Sequence, residues 1–354
     1  MIPHSRPTLG REEKEAVLAV LDSGQIAQGE KVAEFEKNFS QFVGRRYAVA
    51  LSSGTSALYL TLLALPVSPG DEIILPSYTC VALLHAIDGV KAKAVPVDID
   101  PEDFNISAKE VKRKIRRKTK AIIVPHAFGR GAQMDALLDL KIPVLEDGTQ
   151  ALGASAGEKK VGSFGIASIF SFYATKMITT GEGGMVLTDS ARLAQKIYDL
   201  RDYDKKKNFC FRTNSKMTDL EATMGLAQLK KLPSFVLQRR EIAKRYQEAF
   251  RGQQVILPAE GGNRTSVYYR FVVRFLKKPK EWFKHLNANG IDAKEPIFKP
   301  IHQYLNLPNS QFVHTARAMK EACSLPIYPS LSETECVQVC QALRKEKSQQ
   351  HVEV

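Results

Sequence analysis

The sequence predicts an α/β chain: a large domain on a mixed, mostly parallel sheet with helices on both faces, then a smaller α+β domain. Three observations predict it. The 354 residues exceed a single small module. Short β-rich runs alternate with helical stretches over the N-terminal two-thirds, the pattern of βαβ units. After Pro233 that alternation stops and long amphipathic helices dominate. The division is placed near Pro233, giving a large domain over 1–233, with the N-terminal segment included, and a small one over 234–354.

The elements follow in order. Tyr47–Leu51 reads as a strand and SGTSALYLTLLAL as a helix starting near Thr55. Glu72–Leu75 is the next strand and Thr79–Ile87 the next helix. Lys93–Val97, Ala121–Val124 and Pro143–Glu146 are further strands. Between the first two of these lies a basic run, Lys109 to Lys120, with Val111 and Ile115 pointing inward at helical spacing. Ile169–Phe172 and Met185–Thr188 make two more strands joined by a Gly-rich turn. Ser190–Tyr203, Thr218–Leu232 and Ser234–Ala249 read as helices, the last two separated by Pro233. A strand at Tyr269–Phe275 and helices near Glu281–Asn289, His314–Cys323 and Glu333–Leu343 complete the pattern, ahead of a polar tail, KEKSQQHVEV, expected to fray.

Composition narrows the function. Hydrophobic residues at 44% and charged residues at 25% exclude a wholly disordered chain. No apolar run is long enough to span a bilayer, and the first residues lack the apolar segment of a secretory signal. The five cysteines form no CxxC pair, so a reducing cytoplasm is the expectation. The net charge of +13 suits an anionic partner. The basic run has no interleaved aromatics, so it reads as a solvated helix face; neither nucleic acid nor membrane is expected as a partner. No P-loop, HExxH, EF-hand or strand-following GxGxxG is present, and the histidines lack metal-ligand spacing.

In an open parallel sheet ligands bind beyond the carboxyl ends of the strands. After the first strand, Ser52-Ser53-Gly54-Thr55-Ser56 opens a helix; it suits either a phosphate held by backbone amides and hydroxyls or a simple N-cap turn. After Pro143–Glu146 comes Asp147, with Gln150 three residues on. Asp147 reads as a helix cap or as a fixed anion facing a ligand. After Ile169–Phe172 comes Lys176 in an apolar, small-residue stretch. It reads as a snorkelling surface lysine or as a buried amine made nucleophilic by its surroundings. His126, after another strand, faces the pocket or packs in the core. Cys336 and Cys340, one helical turn apart, read as packing residues.

Together these strand ends are more specific than any one alone. Phosphate cradle, strand-end acid and buried lysine occur in the order of a pyridoxal phosphate enzyme of the aspartate-aminotransferase type, whose cofactor needs a phosphate anchor, an acid at its ring nitrogen and a lysine at its aldehyde. The chain resembles the DegT/DnrJ/EryC1/StrS family of nucleotide-sugar aminotransferases. The blocks SSGTSAL, GDEIILPSYT, TKAIIVPHAFG, VLEDGTQALGA, VGSFGIASIFSFYATK, TTGEGGMV, NSKMTDLEATMGLAQL and SLPIYPSL carry the resemblance, in the family's order and over nearly the whole length. Asp147 precedes Lys176 by 29 positions and Ser171 precedes it by five.

The resemblance implies fold type I of the pyridoxal-phosphate transferases, pyridoxal 5'-phosphate as cofactor, and a nucleotide-linked keto-sugar and L-glutamate as substrates. It implies that Lys176 binds the cofactor aldehyde and moves the proton, that Asp147 pairs with the ring nitrogen, and that Gln150 bonds the phenolic oxygen. Gly54, Thr55 and Ser171 are implied to hold the phosphate. Asn214 is implied to reach the neighbouring subunit's cofactor, which makes the protein a homodimer with shared active sites. Arg212, Lys216 and Arg270 are candidate contacts for the sugar's diphosphate. Cys80 departs from the family: it stands where an aromatic residue usually stacks on the ring. Relatives in which histidine replaces the lysine are dehydratases, so Lys176 favours transamination over the alternative of a sugar dehydratase or lyase. A non-catalytic regulatory protein on the same fold and, on charge alone, a nucleic-acid binder are the remaining alternatives.

Overall fold

A computed structural model of the chain describes residues 1–344; the polar tail lies outside the described residues. Two helices that the sequence reading does not assign precede the first strand: α1 (Arg11–Ser23) and α2 (Glu30–Val43). The signal for α2 was present, since Val32, Phe35, Phe39 and Val43 recur at helical spacing and all are buried. Then follow β1 (Tyr47–Leu51), α3 (Gly54–Ala64), β2 (Glu72–Pro76), α4 (Ala82–Gly89), β3 (Lys93–Val97) and α5 (Ala108–Lys114). Next come β4 (Thr119–Pro125), α6 (Met134–Leu138), β5 (Val144–Asp147), the short β6 (Ser155–Ala156) and β7 (Lys159–Lys160), then β8 (Ala167–Ser171), β9 (Gly184–Thr188) and α7 (Ala191–Leu200). The C-terminal part holds α8 (Asp219–Ala249), β10 (Val255–Ile256), β11 (Phe271–Phe275), α9 (Pro279–Ala288), α10 (Ile301–Tyr304), α11 (Val313–Glu321), β12 (Ala322–Leu325) and α12 (Glu333–Leu343).

Seven strands form the main sheet in the order β1-β9-β8-β5-β4-β2-β3. β9 runs antiparallel to both its neighbours, and the other pairings are parallel. The carboxyl ends of β1, β5 and β8 therefore point the same way. One face packs on α3, α4 and α7 through Leu58, Leu62, Ile87 and Ile197; the other packs on α2 and α8 through Phe35, Phe39, Phe170 and Phe172. A three-stranded sheet, β10-β11-β12, anchors the second core with Tyr246, Phe271, Trp282 and Tyr328. Among the described residues no helix is long and apolar enough to cross a membrane.

Four elements differ from the sequence expectation. Pro233 does not break a helix: α8 runs 31 residues straight through it. Before Pro233, Leu226, Leu229 and Leu232 pack in the core under the main sheet; after it, Ile242, Ala243 and Tyr246 pack in the second core. Packing at both ends outweighs one lost backbone bond, and Pro233 itself is exposed. The basic run is helical only to Lys114, where Arg116 folds back on the carbonyls of Arg113 and Ile115. The helix read at Thr79–Ile87 starts at Ala82, because residues just before it are tied elsewhere: the Ser77 amide donates to Val97 O and its carbonyl accepts from the Ile301 amide. The helix read to Cys323 ends at Glu321, and Ala322–Leu325 pairs antiparallel with β11.

The N-terminus crosses to the second core. Ile2 forms a parallel bridge with Ile291 and is buried there. We propose that the boundary between the two units falls within α8, with these first residues strapped across it.

Candidate active site

The strand ends converge on one cavity of about 280 Å³, at the small end of ligand pockets, roughly 300–1,000 Å³. Its lining includes Gly54, Thr55, Cys80, Asp147, Gln150, Ser171 and Lys176. Strand alternation explains who faces in. On β8 and the turn after it, Ile169, Ser171 and Tyr173 line the cavity while Phe170 and Phe172 pack into the opposite core.

The floor is made by α3. Ser53 caps it, accepting the Ser56 amide at 3.0 Å. Gly54 lies so close to β8 that a Cβ there would stand 2.7 Å from Ser171 Cβ. That crowding demands glycine and sets the Ser171 hydroxyl beside the helix's first turn. Free amide donors, two hydroxyls and the positive end of an 11-residue helix make this corner an anion seat.

Asp147 ends β5. It accepts the Thr149 amide at 3.0 Å, and its carboxylate borders the cavity as a fixed anion. Gln150 Oε1 accepts the Phe128 amide at 2.9 Å, which orients its amide nitrogen as the donor left for a ligand. Lys176 falls between its two readings, surface amine and buried amine. It is half-buried, with its ammonium 5.2 Å from the centre of the Tyr269 ring. A partial path to the cavity spares it full desolvation. Cys80 is exposed on the cavity wall and offers no ring face. Tyr173, Thr149 and Glu182 also line the space and were missed in the sequence; for Tyr173 the period-two alternation was the available signal.

Other expectations separate from this cavity. His126 is fully buried and serves packing. The Ala132 amide donates to its Nδ1 at 2.9 Å, so the ring proton sits on Nε2, 3.2 Å from Glu146 Oε2. Glu146 faces away from Asp147 and accepts the amides of Gly162, Phe164 and Gly165. Asn214 is exposed and bridges Asp202 rather than lining this chain's cavity. Arg212 pairs with Asp199 and Lys216 with Asp202. Arg270 lines a neighbouring cavity with Thr175, His4 and Lys294. Cys336 and Cys340 are buried in the second core.

Residues 7–344 match the DegT/DnrJ/EryC1/StrS aminotransferase family. The chain belongs to this family. It is similar to the spore coat polysaccharide biosynthesis protein SpsC of Bacillus subtilis, at 34% identity over 97% of this chain and 96% of that one. It is equally similar to a GDP-perosamine synthase of Caulobacter vibrioides, 34% identical over 95% and 96% of the two chains. Among solved structures it resembles the aminotransferase TlmJ of Streptoalloteichus hindustanus, with a TM-score of 0.92 and 30% identity over 97% and 98%. A sugar aminotransferase of Streptococcus pneumoniae in its PLP-form gives 0.91 and 26% over 97% of each chain. The fold is therefore that of the pyridoxal-phosphate aminotransferases, and the chain is a pyridoxal-phosphate-dependent aminotransferase of the sugar-acting family. The cavity fits that cofactor chemically: an anion seat for its phosphate, a carboxylate for its ring nitrogen and an amine for its aldehyde.

Proposed function

We propose that the chain transfers an amino group from L-glutamate to a keto-sugar carried on a nucleoside diphosphate. The observation that carries the reading is the convergence of Lys176, Asp147 and the Gly54–Ser171 contact on one cavity. The names of the relatives, a GDP-perosamine synthase and a polysaccharide biosynthesis protein, support a nucleotide-sugar acceptor.

When bound, pyridoxal phosphate supplies an electron sink that lets an amino group leave one carbon skeleton and join another. The protein supplies placement. Gly54, Thr55 and Ser171 hold the phosphate at the α3 N-terminus. Asp147 keeps a proton on the ring nitrogen. Gln150 donates to the phenolic oxygen, with its orientation fixed by the Phe128 amide. Lys176 Nζ would hold the aldehyde end and would move a proton at the donor's α-carbon. Asn214 acts from the partner subunit of a homodimer. Leu58, Leu83 and Ile169 form the apolar side of the cavity and limit water there.

The test is isotopic. With ¹⁵N-labelled L-glutamate and a GDP-linked keto-sugar, the label must appear in the sugar, one mole per mole of 2-oxoglutarate formed. Deoxygenated or dehydrated sugar without label would assign dehydratase chemistry instead.

A further inference from the structure

Tyr269 stands behind Lys176 and takes no part in the roles above. It is buried, and its ring is flanked by two cations: Lys176 Nζ at 5.2 Å from its centre and the Arg270 guanidinium at 5.6 Å. Its hydroxyl lies 3.4 Å from Thr175 Oγ1, on the residue beside the lysine. Thr175 and Arg270 border the neighbouring cavity and Lys176 borders the cofactor cavity, so Tyr269 is part of the wall between them.

The backbone that carries Tyr269 is held from two sides. Buried Arg239 of α8 donates its Nη1 to the carbonyls of Tyr268, Tyr269 and Ile327 at 3.2, 3.2 and 2.7 Å. This buried guanidinium, with backbone carbonyls as its partners, ties the segment to α8 and to Ile327. On the other side Gly129, at φ +104°, approaches so closely that a Cβ would lie 2.6 Å from the Tyr269 nitrogen. The ring therefore has a fixed place, whereas Lys176 hangs on a flexible four-carbon stem.

We propose that Tyr269 is a positioning residue for Lys176: its ring face seats the lysine amine, and its hydroxyl, 3.4 Å from Thr175 on a ring flanked by two cations, governs the alkaline limb of the pH profile. Burial pushes the phenol up, but the charges of Lys176 and Arg270 outweigh it and hold the phenol at about 8. Thr175, 3.4 Å from the hydroxyl, also favours its ionised form. Above that pH a negative charge would stand on the ring that seats Lys176, so the placement of the amine changes on the alkaline side. The inference rests on Lys176 being the amine that carries the cofactor.

The experiment follows tyrosinate absorbance from pH 6.5 to 10 on the purified chain, before and after pyridoxal phosphate is added, together with the rate of cofactor conversion by L-glutamate. One tyrosine should ionise near pH 8 in the chain before loading, be missing in Tyr269→Phe, and move up in Lys176→Ala. Tyr269→Phe keeps the ring and should stay within about threefold of the wild-type rate at pH 7, with its alkaline fall displaced upward. Tyr269→Leu should lose at least about tenfold in rate, with the KM for L-glutamate changed less than about threefold. A wild type with no tyrosine ionising below pH 9.5, or a Tyr269→Phe that keeps the step, overturns the proposal even if Tyr269→Leu fails to fold. Equal losses in both variants also overturn it. If no visible cofactor band forms at all, the role given to Lys176 fails instead.

Discussion

The Gly54–Ser171 contact is where one methyl group tests the site. Gly54→Ala puts a carbon 2.7 Å from Ser171 Cβ, so α3 and β8 must part. We predict a stability loss of about 1–3 kcal/mol and at least about tenfold weaker cofactor binding, read by denaturant titration and by titration of the visible band. The buried His126–Glu146 pair tests structure apart from chemistry. Burial pushes the Glu146 carboxyl up, but His126 and the amides of Gly162 and Phe164 outweigh it, so it lies below its ordinary 4.5. A carboxyl lowered in the folded state stabilises above its unfolded pKa, and that contribution is lost as pH falls through the folded value. Wild type should thus lose stability as the pH drops below about 4.5. Glu146→Gln should be less stable at pH 7 by about 3 kcal/mol, with a flatter acid limb in thermal melts. At this scale the sequence was legible wherever a residue sat at a strand end: Asp147, Gln150, Ser171 and Lys176 were placed by the strands before them. It left the exposure of Lys176 open, because burial depends on Tyr269, some 90 residues downstream. It left His126 open because the Glu146 that fixes it points away from its neighbour Asp147.

Among elements, α8 was misread for a local reason. A proline inside a helix removes one donor and crowds the carbonyl four residues back, so Pro233 reads as a break. What keeps the helix whole is distant packing, on two cores at once, together with a capping box at Thr218 and Glu221. Because Pro233 is exposed and serves neither core, Pro233→Ala should raise stability by about 1–3 kcal/mol in urea unfolding. No gain would mean the helix is adapted to a bend there. The N-terminus of α8 also organises α2: buried Asp219 accepts the amides of Gly29, Lys31 and Val32 at 2.8, 3.2 and 3.0 Å. Asp219→Ala strands three donors and should cost at least about 2 kcal/mol. The strand Ala322–Leu325 was hidden for a similar reason, being four residues long and defined by its pairing with β11 rather than by its own pattern.

For the whole molecule, alternating strands and helices made the main sheet legible, including the direction in which its functional ends point. The antiparallel β9, and the way Ile2 joins the second core, arise from contacts between distant segments. The proposed homodimer makes a specific demand. Asn214 lies outside its own chain's cavity, so protomers lacking Asn214 and protomers lacking Lys176 should rescue each other. Mixed and reassembled one to one, Asn214→Ala and Lys176→Ala proteins should regain about a quarter of wild-type activity, from the one intact site in each mixed dimer. No regain, with mixed dimers formed, would assign Asn214 to surface structure alone. The exposed aromatics of the adjoining loop, Tyr203, Phe209 and Phe211, are the surface such a dimer would cover.

The proposed function requires Lys176 to work as the amine of a transaminating site despite Cys80 standing in place of a stacking ring. Its most direct test is the absorbance spectrum of the protein with pyridoxal phosphate, before and after L-glutamate. We predict a visible-edge band that is absent in Lys176→Ala and that glutamate converts to the spectrum of the amino form, with one equivalent of 2-oxoglutarate released per site. A wild-type spectrum identical to that of Lys176→Ala, or a band that no amino donor alters, would contradict it.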